Sequence, residues 1–270
     1  MSEPLPSASN KRKPTQKRAE NKAQSGSAFG KHELIRQLYS MLEKGLPTES
    51  TRFSERLTQN LDFAHSLKLS EVPAVLKGMK RKASQQGWAP VQSDMPRADQ
   101  LAAAYQRVHQ AIQLTIEQSF SENQTQARIP LPAPKIENGQ LSLAACLTFY
   151  QAHQQEMSAK IQGLRRYLRE TLAPVSLAMA QLVYLDSALE ETVGLPLRTG
   201  FANISQALQV YREKTEQQCL QQKDQTAQQQ ALLTQFYAQL QQLLLAECEL
   251  RLQPVIGLIE AFNQEVRQAQ

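Results

Sequence analysis

The sequence predicts an all-α fold, and three observations carry that expectation. Glycine is scarce, 10 of 270 residues, while glutamine and leucine number 38 and 36. So few glycines leave few of the tight turns that sheets and phosphate-cradling loops require. Leu143, Leu147, Tyr150, Gln154, Met157, Ile161, Leu164 and Leu168 recur alternately at four and three residues, which draws one stripe along a helix. Several prolines (47, 90, 130, 132, 134, 174 and 196) fall at the ends of such stripes, where a missing N–H does least harm.

Residues 1–28 hold Lys11, Arg12, Lys13, Lys17, Arg18 and Lys22 against Glu3 and Glu20, which is +4 of the chain's net +5. With almost no large apolar side chain to offset the entropy of ordering, they read as a disordered basic tail. Residues 29–122 read as an N-terminal helical region. Its first helix carries Leu34, Ile35, Leu38 and Leu42 and ends at Gly45 and Pro47; a second, about 51–68, carries Phe53, Leu57, Leu61 and Ala64. Ser70 is a good N-cap for a third, with Val72, Val75, Leu76 and Met79, and the three form a compact unit. Lys80 to Ser93 reads as a loop. Asp94 and Pro96 then suit the start of a helix running to about Glu122, with Leu101, Tyr105, Val108, Ile112, Ile116 and Phe120 along one seam.

Residues 123–139, with Pro130, Pro132 and Pro134, read as an extended linker. Residues 140–270 read as a C-terminal bundle of long antiparallel, coiled-coil-like helices. The stripe from Leu143 to Leu168 ends at Pro174. A helix over about 175–193 follows and closes at Gly194 and Pro196. From Leu197 to Leu252 no proline or structural break appears after Gly200, with Phe201, Ile204, Leu208 and Tyr211 at one end and Phe236, Leu240, Leu243 and Leu250 at the other; a helix can pass through, and its continuity is open. Its glutamine-rich middle, Glu216 to Gln230, should project as a solvated rod. Pro254 should open a last helix with Val255, Ile259, Phe262 and Val266.

No stretch approaches 18 apolar residues, the longest being Leu177 to Leu185, and the basic N-terminus has no apolar core behind it. A protein that neither inserts into a membrane nor leaves the cytoplasm is expected. Cys146, Cys219 and Cys248 are odd in number and widely spaced, which suits buried thiols in a reducing compartment. His153 and Glu156 stand one turn apart without further ligands nearby, and nucleotide-binding, nucleophile-elbow and kinase motifs are missing; neither a cofactor, a metal nor an enzymatic activity is expected. Asp186, Glu190 and Glu191 should answer Arg165, Arg166 and Arg169 on the neighbouring helix. Gln154, the one polar member of its stripe, suits a register-setting contact with a partner helix.

Two basic groups remain: Lys77, Lys80, Arg81 and Lys82 at a helix C-terminus, and Lys160, Arg165, Arg166 and Arg169 along the long helix. Charge near a helix C-terminus complements the macrodipole. Together with Lys11, Arg12, Lys13, Lys17 and Arg18, either group, that with Lys80, Arg81 and Lys82 or that on the long helix, also suits phosphates, although no aromatic side chains interleave for stacking.

Four blocks carry a resemblance to a known family. They are Phe53-Ser54-Glu55-Arg56-Leu57 with Leu61-Asp62-Phe63 and Leu69-Ser70; Tyr150, Gln154, Met157, Ile161, Leu164-Arg165 and Arg169; Leu182, Leu185-Asp186 and Leu189; and Leu245-Ala246-Glu247 through Leu250-Arg251-Leu252-Gln253-Pro254 to Gly257-Leu258. On these the chain resembles domain-of-unknown-function family 3348, uncharacterised proteobacterial helical proteins. The blocks span residues 50–262 and leave out the tail and the Pro-rich segment. Asn60 and His65 depart from the family's aromatic and acidic residues. The resemblance implies companionship with a flagellar-stator-like inner-membrane channel and an OmpA-like partner, an arrangement similar to Zorya anti-phage systems.

A non-enzymatic accessory protein is therefore expected. Its stripe of Tyr150, Gln154, Met157, Ile161, Leu164 and Leu168 would dock on the channel's helical cytoplasmic tail or on a co-encoded accessory protein. Arg251, Gln253, Pro254 and Gly257 are its most specific family residues. The alternative is a DNA-binding effector that uses the tail and basic clusters, and homo-oligomers are compatible with either.

Overall fold

Fewer helices stop than the prolines and caps suggest. The computed structural model describes residues 33–41, 63–87, 98–121, 127–137, 140–222 and 225–268. The described elements are α1 (Glu33–Met41), α2 (Phe63–Gln86), α3 (Ala98–Phe120), β1 (Lys135–Glu137), β2 (Gln140–Ser142), α4 (Ala145–Leu172), α5 (Leu177–Gln221) and α6 (Thr226–Gln268). The expected all-α architecture is what forms. The tail, the residues 51–62 of the expected second helix, and the expected cap at Asp94 and Pro96 lie outside the described residues.

α4 and α6 make the spine. Each packs on the other and on both α3 and α5, so α3 and α5 flank the pair from two sides. α1 packs on α5 and α6, and α2 packs on α5. The helices of the N-terminal region thus find their main partners in the C-terminal bundle, and the compact three-helix unit expected from sequence is not what α1 and α2 build. A lone short amphipathic helix buries little on its own. Leu34 and Met41 instead join the common core with Leu101, Ile112, Ile116, Leu143, Tyr150, Leu168, Leu208, Phe236 and Phe262.

Four breaks expected from sequence do not occur. Ser70 does not cap a new helix: its hydroxyl donates to the Leu67 carbonyl at 2.6 Å, and α2 runs on through Pro73. The loop expected from Lys80 is also helix, and α2 ends only at Gly87, whose φ of 71° is the left-handed conformation glycine supplies at a helix end. α5 continues for 45 residues, about 68 Å, through the segment expected to close at Gly194 and Pro196, with buried Thr192 and Ile204 on either side. Pro254 lies inside α6 rather than at the start of a helix. An internal proline costs about 3 kcal/mol. Leu252, Val255, Leu258 and Phe262 continue one buried stripe across it, and at roughly 1.5–3 kcal/mol per large side chain their burial outweighs that cost.

The helix over 197–252, whose continuity the sequence leaves open, is broken. The glutamine-rich segment is a reversal, not a rod: α5 ends at Gln221, α6 begins at Thr226, and the two pack together. Gln225 N–H donates to the Gln222 carbonyl at 2.9 Å, and the Gln229 amide donates to the Cys219 carbonyl at 2.8 Å. The Tyr211 ring stacks on Phe236, centroids 5.6 Å apart, which sets the two arms antiparallel. A polar segment flanked by apolar stripes lets the chain fold back so that both stripes are buried in each other.

Pro174 does end α4. Ser176 then caps α5, accepting from Met179 N–H at 3.1 Å. The Pro-rich segment leads into a small hairpin in which Ile136 pairs with Leu141 and Glu137 with Gln140. Ile129 and Leu131 pack against the core, and the Tyr237 hydroxyl donates to the Pro132 carbonyl at 3.4 Å, so this stretch is fastened to the bundle.

Candidate functional site

At the centre of the spine lies a carboxylate with no exposure to water. Glu247 enters from α6 between apolar neighbours Leu243, Leu244 and Leu252 and is fully buried. Its oxygens accept from the Gln154 amide at 2.9 and 3.1 Å, from Arg251 Nε at 2.7 Å and from the Tyr150 hydroxyl. Arg251 lies one turn along the same helix; its Nη1 donates to Ser158 Oγ at 2.9 Å and its guanidinium sits 3.9 Å from the Phe201 ring centroid. Gln154 also reaches the Phe201 carbonyl at 3.5 Å. Burial first, and the Glu247 carboxylate second, push the Tyr150 phenol well above its ordinary pKa, so it stays a donor. α4, α5 and α6 are held in one register by a network centred on a carboxylate that has no water to turn to.

A second ionic centre ties α4 to the start of α5. Asp186 accepts from Arg165 Nε at 2.9 Å and Arg169 Nε at 2.7 Å, and Glu190 lies 3.4 Å from Arg165 Nη1 and 2.6 Å from Arg169 Nη1. The expected acid–base pairing of these helices forms for Asp186 and Glu190. Arg166 is exposed, and Glu191 pairs with Lys68 of α2 instead. A third contact, Glu216 Oε1 accepting from Leu143 N–H at 2.5 Å while Arg212 holds the same carboxylate at 2.9 Å, pins the start of α4.

His153 is a core residue. It lies edge-on to Phe149 at 4.6 Å, and its Nε2 is 3.1 Å from Ser119 Oγ. Glu156 turns to Arg128 and Lys160, and among the described residues no group of three or more metal-ligating side chains converges. Burial lowers the imidazole pKa from 6.5 to about 4, with Glu156 working the other way. Between those values the unfolded chain binds a proton that the folded protein refuses. Stability from this group is therefore whole above about pH 6.5 and is lost as pH falls toward 4, by about 3 kcal/mol in all. Urea midpoints measured from pH 7 to 4 should fall less steeply for His153→Gln than for the wild type; identical slopes would overturn this assignment.

The stripe expected to dock on a partner is spent inside the fold. Tyr150, Met157, Ile161, Leu164 and Leu168 are buried against the chain's own helices, and Gln154 bridges to α6 and α5. Gln154 does connect helices, but those of its own chain. Of the family residues, Arg251 belongs to the Glu247 centre, while Gln253, Pro254 and Gly257 are exposed on the outer side of α6. Lys80, Arg81 and Lys82 are exposed on α2; Lys11, Arg12, Lys13, Lys17 and Arg18 lie outside the described residues. Cys146, Cys219 and Cys248 are buried and free, and burial pushes the thiols of Cys146 and Cys248 up to about 12. From sequence, Phe201 is expected only as an apolar seam residue and Glu247 only within a family block, and neither they nor Ser158 and Glu216 are expected as members of a site. The available signal was Glu247 and Arg251 four apart within an apolar run, where a lone charge has no reason to be.

Fold and centre together define a helical-bundle protein whose buried ionic groups hold long helices in register. The chain belongs to a family of proteins of unknown function, DUF3348, whose model matches residues 20–264. That match is wider than the four blocks: it begins within the basic tail and includes the Pro-rich segment. No curated protein and no solved structure matches the chain. No helix among the described residues is long and apolar enough to cross a membrane.

Proposed function

We propose that the chain is a non-catalytic, cytoplasmic interaction protein, with the outward side of α2 and the part of α5 beneath it as the face offered to a partner. The observation that supports this most is the way α2 is carried. Its main packing is on α5, with Val72 buried, while Leu67 and Val75 are 52% and 38% exposed and Leu189 of α5 is 41% exposed. Large apolar side chains on a one-sided surface helix suit an amphipathic helical partner. Catalysis is disfavoured because the donors around Glu247 and Asp186 come from the chain's own side chains and close both centres. The family resemblance supplies the partner: the helical cytoplasmic tail of a stator-like channel, in a Zorya-like defence arrangement.

Co-expression of the full chain with such a channel subunit tests this reading. The two should co-purify, and Leu67→Asp plus Val75→Asp should abolish co-purification without shifting the urea midpoint. Capture retained by the folded double variant would overturn the α2 face, and failure of the wild type to co-purify would overturn the partner.

A further inference from the structure

The basic end of α2 has a geometry that sequence did not show. Lys77, Lys80, Arg81, Ser84 and Gln85 line one shallow surface notch. Their spacing of i, i+3, i+4, i+7 and i+8 is a single helix face about 12 Å long. Lys82 is exposed on another side of the helix. No acidic side chain among the described residues pairs with Lys77, Lys80 or Arg81.

A macrodipole does not account for them. Its field falls off within the last turn, and α2 has no basic residue there, because the helix continues to Gln86. Lys77 stands nine residues before that end. Nor is the stripe needed to hold α2 in place: the buried side is that of Val72, with Leu76, Met79 and Ala83 half-buried. The Gln181 amide donates to the Leu76 carbonyl at 2.9 Å, and Lys68 pairs with Glu191. α2 therefore runs antiparallel to α5, and its last turns reach past Leu177, where α5 begins. Arg81, Ser84 and Gln85 lie at and beyond this end, with Lys77 and Lys80 just before it.

The geometry points to a phosphate-backbone contact with double-stranded nucleic acid that reads no sequence. Duplex phosphates follow one another at roughly 3.4 Å of axial rise per strand, so a stripe about 12 Å long covers three or four of them, and the Gln85 amide adds neutral donors to the cations. A single strand would call for aromatic platforms, which this face lacks. A bilayer would call for large apolar side chains beside the cations. The residues interspersed with the stripe on its outer side are Ala74 and Gly78, while Val75 points elsewhere around the helix and Leu67 lies about 15 Å before Lys77 along it. The six basic residues among residues 1–28 add charge of the same sign to the chain. This inference does not depend on the protein-partner reading.

Binding of the full chain to a fluorescent 20-base-pair duplex, followed by anisotropy from 50 to 200 mM salt, tests it. Affinity should fall steeply with salt. Lys77→Gln/Lys80→Gln/Arg81→Gln should weaken binding more than 10-fold at 50 mM and flatten the log–log salt slope by roughly 2 to 3, about 0.9 per lost phosphate contact. Arg166→Gln, an exposed cation on α4, should change neither by more than 2-fold, and circular dichroism should show all variants folded. No binding at 50 mM, or a folded triple variant that binds like the wild type, would overturn the proposal. So would tighter binding to a single strand of the same length, or binding to vesicles rich in anionic lipid without binding to the duplex.

Discussion

Glu247→Ala is expected to cost about 3–5 kcal/mol, the penalty for breaking a buried ion pair by removing one partner. The substitution leaves Arg251, with only 15% of its side chain exposed, without its carboxylate, and strips the acceptor from the Tyr150 hydroxyl and the Gln154 amide. Against a total stability of about 5–15 kcal/mol for a domain, that is a large fraction. Arg251→Met should cost a similar amount for the opposite reason, since the carboxylate is then buried beside neutral donors. Glu247→Leu with Arg251→Met should cost clearly less than the two single losses added together, because neither charge is left behind. Tyr150→Phe, which removes one donor while two others remain, should cost about 1–2 kcal/mol. Urea denaturation of the four variants decides the matter. A midpoint for Glu247→Ala within about 0.5 kcal/mol of the wild type would show that the centre does not hold the bundle.

How much of this was legible depends on whether a local rule or a distant neighbour decides the outcome. α3 and α4 were legible, since Leu101, Ile112 and Ile116, and then Tyr150, Met157 and Leu168, recur at helical spacing and are buried. The ionic link between α4 and α5 was legible for Arg165, Arg169 and Asp186, because a short connection at Pro174 makes those helices neighbours. Helix continuity was not. Ser70, Pro196 and Pro254 carry local penalties of up to about 3 kcal/mol, and only the buried stripes that continue beyond them show that the penalty is outweighed. Nor does a run of glutamines state where it turns: Gln221 and Gln228 are equally fair helix formers, and the reversal follows from Tyr211 finding Phe236. The Glu247 centre needs α4 and α6 placed side by side before its three donors meet. Its residues stood in two of the family blocks, and nothing short of the α4–α6 packing joins Tyr150 to Glu247.

The same distinction decides what a doubly acidic change in the α4 stripe will do. Ile161→Asp with Leu164→Asp would block docking, with the fold intact, if the stripe faced a partner. In the bundle Ile161 and Leu164 are 7% and 5% exposed, and Arg165 beside them is already committed to Asp186. Each new carboxylate therefore loses an apolar side chain and either stays charged without a cation or takes up a proton, at a cost of several kcal/mol apiece. Added together, these losses rival the whole stability of an ordinary domain. The double variant should lose its cooperative urea transition and much of its helical circular dichroism at 25 °C with no partner present, whereas Leu67→Asp plus Val75→Asp, on the exposed side of α2, should stay within about 0.5 kcal/mol of the wild type. A stripe variant that kept a wild-type midpoint would place Ile161 and Leu164 on an outer surface and return the docking role to α4; an unfolded one assigns the most regular apolar pattern in the sequence to the chain's own core and leaves recognition to the plainer faces around it.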